Sequence, residues 1–133
     1  MAREGDDDLF PRDRVAVINE TEPTMALSLH YNALPDNGDA LNTAGIGAFW
    51  YHPQAHDLAL FLHNYLVETL DRPAFGVYWN ILALTRPSVT PSVLLELGFM
   101  INPYEFEWIV DPDSQQQLAK AVAAGVAEWV TSR

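Results

Sequence analysis

The chain has no cysteine and a single lysine, Lys120. Without cysteine there is no disulfide and no thiolate metal centre, so any metal must be held by His, Asp or Glu, and the redox compartment stays open. Basic residues are scarce altogether. Seven Lys and Arg stand against eighteen Asp and Glu, a formal charge of -11, which argues against a phosphate-tracking surface and so against nucleic acid as a partner. No apolar run approaches the ~18 residues of a membrane span. The opening MAREGDDDLF is charged where a secretory leader would be apolar. What the chain does have is core material: 133 residues, 49% hydrophobic, suit one compact domain over residues 1–133 with no second domain.

Residues 3–13, REGDDDLFPRD, have the charge density of an exposed loop, with Asp6, Asp7 and Asp8 a solvated run and Asp13 the expected cap of a short helix through RVAVINE. MALSLHYNA reads as a strand near 26–32 that runs into the Gly-bearing loop LPDNGDALNTAGIG. GAFWYH gives a second strand near 45–51. Leu58, Phe61, Leu62, Tyr65, Leu66 and Leu70 then recur at helical spacing, predicting a helix near 53–70 between Pro53 and Pro73. Further strands are expected near 80–85 and 92–98. Asn102 and Pro103 open a short helix through NPYEFEWIV, and a helix near 114–130 closes the chain with Asp113 or Ser114 as its cap. Strands alternating with long helices predict an α/β fold, a mostly parallel twisted sheet with helices on both faces. Ligands of such sheets collect at the carboxyl ends of the strands.

One residue conflicts with its surroundings. PSVLLELGF, residues 91–99, is the most strand-like run in the chain, yet it carries Glu96 where an unpaired carboxylate is costly. A glutamate there needs a partner or a chemical task. Four histidines accompany it. His52 and His56 have the spacing of a metal-binding helix pair, but Pro53 places His52 outside the helix. His63, between Leu62 and Asn64, reads as a boundary or surface residue. His30 ends a predicted strand, as Glu96 does, so these two are expected at one edge of the sheet.

Read with their flanks, these residues resemble a known family. Ser28, Leu29, His30, Tyr31, Asn32 and Ala33 match the S-[IL]-H-x-N-A strand of the zinc-dependent N-acetylmuramoyl-L-alanine amidases, the type found in cell-separation, sporulation and phage lytic enzymes. Pro91 to Gly98, Phe99, Asn102 and Glu105 match the family's P-[AS]-V-L-[VL]-E-x-G-F-x-x-N-x-x-E. LALTRP, HDLALFLHNYL and the closing LAKAVAAGVAEWV also agree, so the resemblance spans nearly the whole chain.

The resemblance implies that His30 is a zinc ligand and Glu96 the catalytic acid/base. The implied reaction is hydrolysis of the amide between N-acetylmuramic acid and L-alanine in peptidoglycan, in the periplasm or the cell wall. Asn32, the loop LPDNGDALNTAG and Arg86 are the polar material nearest to contacting glycan or stem peptide, and no substrate-binding residue is assigned. The D-x-G-H-G-G-like strand and the glutamate-bearing helix that supply the family's other zinc ligands are not found in this sequence. The chain is therefore read as an N-terminally truncated form, expected to hold no tight zinc and to have little or no activity alone, and a homodimer is expected to cover the incomplete sheet. The alternative is a non-catalytic peptidoglycan-binding module or an assembly or regulatory subunit.

Overall fold

The computed structural model describes residues 1–2 and 5–133, so residues 3 and 4 of the loop expected over 3–13 lie outside the described residues, while its last three, 11–13, are helical because Pro11 opens a helix. In chain order it contains helix α1 (Pro11–Thr21), strands β1 (Ala26–Asn32) and β2 (Ile46–Trp50), a single 3-10 turn (Pro53–Ala55) leading into helix α2 (His56–Leu70), strands β3 (Ala74–Trp79) and β4 (Ser92–Phe99), and helices α3 (Pro103–Val110) and α4 (Pro112–Thr131). The strands form one sheet in the order β1-β4-β2-β3. β1 runs parallel to β4 and β2 parallel to β3, while β2 meets β4 antiparallel. The expected mixed α/β fold with a mostly parallel sheet is the observed one.

β4 is central because its sequence is apolar on both faces. Val93, Leu95 and Leu97 enter the main core with Ile46 and Ala48 of β2, against Leu58, Ala59, Leu62 and Leu66 of α2. All four of those α2 residues are fully buried, each burial contributing about 1.5–3 kcal/mol for the leucines. α4 lies against α2 through Leu118 and Ala121. Gly125 permits the close approach, since a Cβ there would stand 2.9 Å from the Tyr65 ring.

Sequence reading misplaced one strand. The third strand runs from Ala74 to Trp79, not over 80–85. Tyr78 and Trp79 pair with Phe49 and Trp50 of β2, and pairing ends when the Asn80 N–H reaches the Trp50 carbonyl. Residues 82–86 then turn around the Thr85 hydroxyl, which donates to Asn80 O at 2.8 Å and accepts from Leu82 N at 2.9 Å. Two caps also differ from expectation. Pro11 takes the first helical turn and makes Phe10 the N-cap of α1, leaving Asp13 inside the first turn. The Asp111 side chain caps α4 by accepting from the Ser114 N–H at 2.8 Å, because Pro112 starts that helix.

Candidate functional site

Neighbouring residues on a strand point to opposite faces. Because Leu95 and Leu97 face the α2 side, Glu96 faces the other. In the β1/β4 ladder its register partner is His30, and in the β2/β4 ladder it is Gly47, which pairs in turn with Gly76 of β3. One row across the whole sheet therefore reads His30, Glu96, Gly47, Gly76. Its two ionisable side chains stand side by side, and the two glycines leave the rest of the row bare. A Cβ on Gly47 would come within 3.1 Å of the Phe75 ring and 3.7 Å of the Glu96 Cβ, so the glycine makes space for an aromatic wall beside the carboxylate. Phe75 continues that wall to Phe99 and Tyr78, with ring centroids 5.0 and 5.3 Å away.

The register between β1 and β4 shifts immediately after this pair: His30 opposes Glu96, but Asn32 opposes Phe99. β4 thus carries one extra residue. Gly98 absorbs it at φ 142°, a conformation side-chain-bearing residues rarely adopt. The E-x-G-F sequence is then explained residue by residue. Glu96 projects from the strand, Gly98 forms the bulge, and Phe99 restarts the pairing.

The bulge is held by Glu105 of α3. This carboxylate is 3% exposed and accepts from the Phe99 N–H at 3.0 Å, the Gly45 N–H at 2.8 Å and Arg72 at 3.2 Å. It ties the end of β4 to the start of β2 and the end of α2. Asn102 caps α3 by accepting from the N–H groups of Tyr104 and Glu105, while its amide donates to the Leu41 and Thr43 carbonyls. The sequence motif contains both residues. Their role as a clasp between distant segments needed three-dimensional contacts that single-sequence periodicity does not carry.

The electrostatics of the pair are opposite in sign. Burial raises the Glu96 pKa above the ordinary 4.5, and its Oε2 is buried with no hydrogen-bond partner among the described residues. Burial, followed by the nearby positive charge of Arg14, lowers the His30 pKa from 6.5. Both shifts favour the neutral form: an imidazole with a lone pair to give, beside a carboxyl group that holds a proton more readily than usual.

The remaining histidines do other things. His63 is 6% exposed, a correction to its reading as a surface residue, because its Nε2 meets the Ile46 carbonyl at 3.0 Å under the sheet. His52 bonds the Arg86 carbonyl at 2.8 Å, and His56 meets Asp57 and packs edge-on to Trp50. Asn32 accepts from its neighbour Ala33 N–H at 2.9 Å. Asp6, Asp7 and Asp8 are exposed. Among the described residues, no group of three or more His, Cys, Asp or Glu side chains is placed to hold a metal ion, and no helix is long and apolar enough to cross a membrane.

Comparison with known proteins gives the arrangement a context. The chain is 26% identical to the germination-specific N-acetylmuramoyl-L-alanine amidase of Bacillus subtilis, over 100% of this chain and 62% of that protein. It is 30% identical to the probable cell wall amidase LytH of Staphylococcus aureus over 75% of this chain and 33% of that protein. It thus spans under two thirds of the length of either relative. The crystal structure of an N-acetylmuramoyl-L-alanine amidase from Clostridium difficile superimposes with a TM-score of 0.90 at 26% identity, covering 99% of this chain and 71% of that one. The profile of the N-acetylmuramoyl-L-alanine amidases, Amidase_3, matches residues 1–128, nearly the full chain, and the chain belongs to that family.

Proposed function

We infer that the chain, acting as one unit over residues 1–133, serves hydrolysis of the amide between the lactyl group of N-acetylmuramic acid and L-alanine in peptidoglycan, with Glu96 as acid/base and His30 as a zinc ligand. The observation that carries this reading is the register pairing of His30 and Glu96 on adjacent parallel strands. An orphaned buried Glu96 oxygen adds to it. A carboxyl group with a raised pKa is suited to take a proton from water and pass it to the departing amine, which works best when the group titrates near the working pH. Phe75 lines the Gly47 side of the row beside it.

Zn2+ fits these residues in part. His30 supplies one neutral imidazole, the form that ligates, and a catalytic zinc usually takes three protein donors. The described residues do not complete that set. When bound, zinc acts as a Lewis acid toward the amide carbonyl and raises the acidity of water. The proposed place of action is the periplasm or cell wall, where peptidoglycan lies. A homodimer would pair across the edge strand β1, whose outer side has no ladder partner among the described residues, and sedimentation would read it.

The missing donors favour a second reading, a module that binds peptidoglycan without cleaving it. One experiment separates the two: purified peptidoglycan is incubated with the chain and Zn2+, and new L-alanine amino termini are counted. Slow zinc-dependent release, falling by about 10²–10⁴-fold in Glu96→Gln, supports hydrolysis. Sedimentation of the chain with peptidoglycan, with no release, supports the binding module. Release that is unchanged in Glu96→Gln assigns the proton transfer elsewhere.

A further inference from the structure

The basic residues of this acidic chain are unevenly used. Arg72 is committed to Glu105, and Arg133 lies over Trp129, 3.4 Å from the ring centroid. Arg12 and Arg86, in contrast, line opposite walls of one recess of about 420 Å³ between α1 and the connection that follows β3. Arg12, Val15 and Asn19 form the first wall, at helical positions i, i+3 and i+7, and Arg86, Pro87 and Ser88 form the second. The volume is within the usual range of small-ligand sites.

The second wall is built rigidly. Thr85 braces its turn, His52 Nε2 bonds the Arg86 carbonyl at 2.8 Å, and Gln54 donates to the Ser88 carbonyl at 2.9 Å. Pro87 is buried. The backbone is thus pinned to the start of α2 while the Arg86 guanidinium makes no ion pair among the described residues. Among the described residues Arg12 pairs with Asp13, at 3.6 Å and with side chains 84% and 45% exposed, a contact worth little, and its guanidinium lies 5.9 Å from the Phe10 ring centroid. Two guanidinium groups facing one concavity, in a chain of charge -11, concentrate positive potential at a single place. Guanidinium groups recognise carboxylates through paired N–H donors. α1 leads into β1, which carries His30, and residues 83–88 lead into β4, which carries Glu96, so each wall is joined in the chain to one member of the pair described above.

We propose that the recess between α1 and residues 83–88 is a subsite for a free carboxylate of the peptide stem, gripped by Arg12 and Arg86. This rests on the peptidoglycan reading and names the part of the substrate that the Glu96 row does not hold. Beyond L-alanine the stem continues with D-glutamate, which carries such a carboxylate unless it is amidated. Val15 and Pro87 offer apolar contact to the peptide between the two charges, and Asn19 and Ser88 offer neutral hydrogen bonds.

The test is binding without catalysis. Two probes, N-acetylmuramoyl-L-alanyl-D-glutamate and its carboxamide analogue, are titrated into the 133-residue chain at about neutral pH, followed by NMR. The expected result is about tenfold tighter binding of the free acid, lost in Arg12→Gln/Arg86→Gln and kept in Arg133→Gln, which lies in a different part of the chain. Equal affinity for both probes, or a preference that survives the double substitution, overturns the proposal. So does displacement of the free acid by an equal concentration of inorganic phosphate, which marks a general anion site. The titrations are run with chelator and no added Zn2+, so that the probe amide stays intact, and failure of the amidase reading in the release assay leaves this result interpretable by itself.

Discussion

Arg72, at the end of α2, reaches the Glu105 carboxylate of α3 at 3.2 Å while its guanidinium lies 4.7 Å from the Trp108 ring centroid. The same carboxylate accepts from two buried backbone donors, the N–H groups of Gly45 and Phe99. The cation and the backbone donors make separable contributions. Glu105→Ala is expected to destabilise by about 3–5 kcal/mol, since it strands two N–H groups and a cation in a poorly hydrated place. Arg72→Met should cost less, because the carboxylate keeps both backbone donors and the methionine keeps contact with Trp108. Denaturant unfolding of the two variants checks this ordering, and equal losses would mean that the ion pair, not the backbone clasp, dominates.

Stability should also report the two opposed shifts at the site. Glu96 has a folded pKa above its unfolded 4.5, so its contribution is fully present below about pH 4.5 and is lost as pH rises through the folded value. His30 has a folded pKa below 6.5, so its contribution is present above about pH 6.5 and is lost as pH falls through the folded value. Glu96→Gln removes the first dependence. Relative to the parent, it is expected to gain more stability at about pH 8 than at about pH 4, whereas His30→Gln should gain more on the acid side. Parallel pH profiles for parent and Glu96→Gln would show that burial does not act on this carboxyl group.

Much of this was legible in the sequence where local chemistry and burial agree. β1 reads correctly because its apolar residues alternate and run into a polar, Gly-bearing loop, β4 because an apolar run is bounded by Pro91 and Gly98, and α2 because its leucines recur at helical spacing. The third strand did not, because AFGVYW and NILALT both suit a strand and only pairing with β2 decides between them. His63 likewise sits among residues that suit a surface turn of helix, and only the Ile46 carbonyl above it explains its burial. The closeness of His30 and Glu96 was expected from strand ends and family motifs. The bulge at Gly98 and the clasp at Glu105, which join segments sixty residues apart, depend on pairings no local window contains.

The last prediction separates two jobs of Asn102. Its carbonyl oxygen caps α3, accepting from Tyr104 and Glu105 N–H at 3.0 and 3.1 Å, and its amide nitrogen donates to Thr43 O at 3.1 Å, binding the loop that precedes β2. Asn102→Asp keeps the cap, since aspartate caps helices as well as asparagine does, but turns the donor into an acceptor facing a carbonyl. At 2% exposure that new charge is poorly hydrated, so the variant should lose about 2–4 kcal/mol near neutral pH. It should recover part of the loss in acid, where the protonated carboxyl can donate again. Asn102→Ala loses cap and clasp together and should be destabilised at every pH. Thr43 lies two residues before Gly45, whose N–H is bound by Glu105, and four before Gly47 in the Glu96 row. Loosening of the loop in Asn102→Asp should therefore appear as faster amide exchange at Gly45 and Gly47 than at Leu95. Uniform exchange across all three would mean that Asn102 acts on the helix alone.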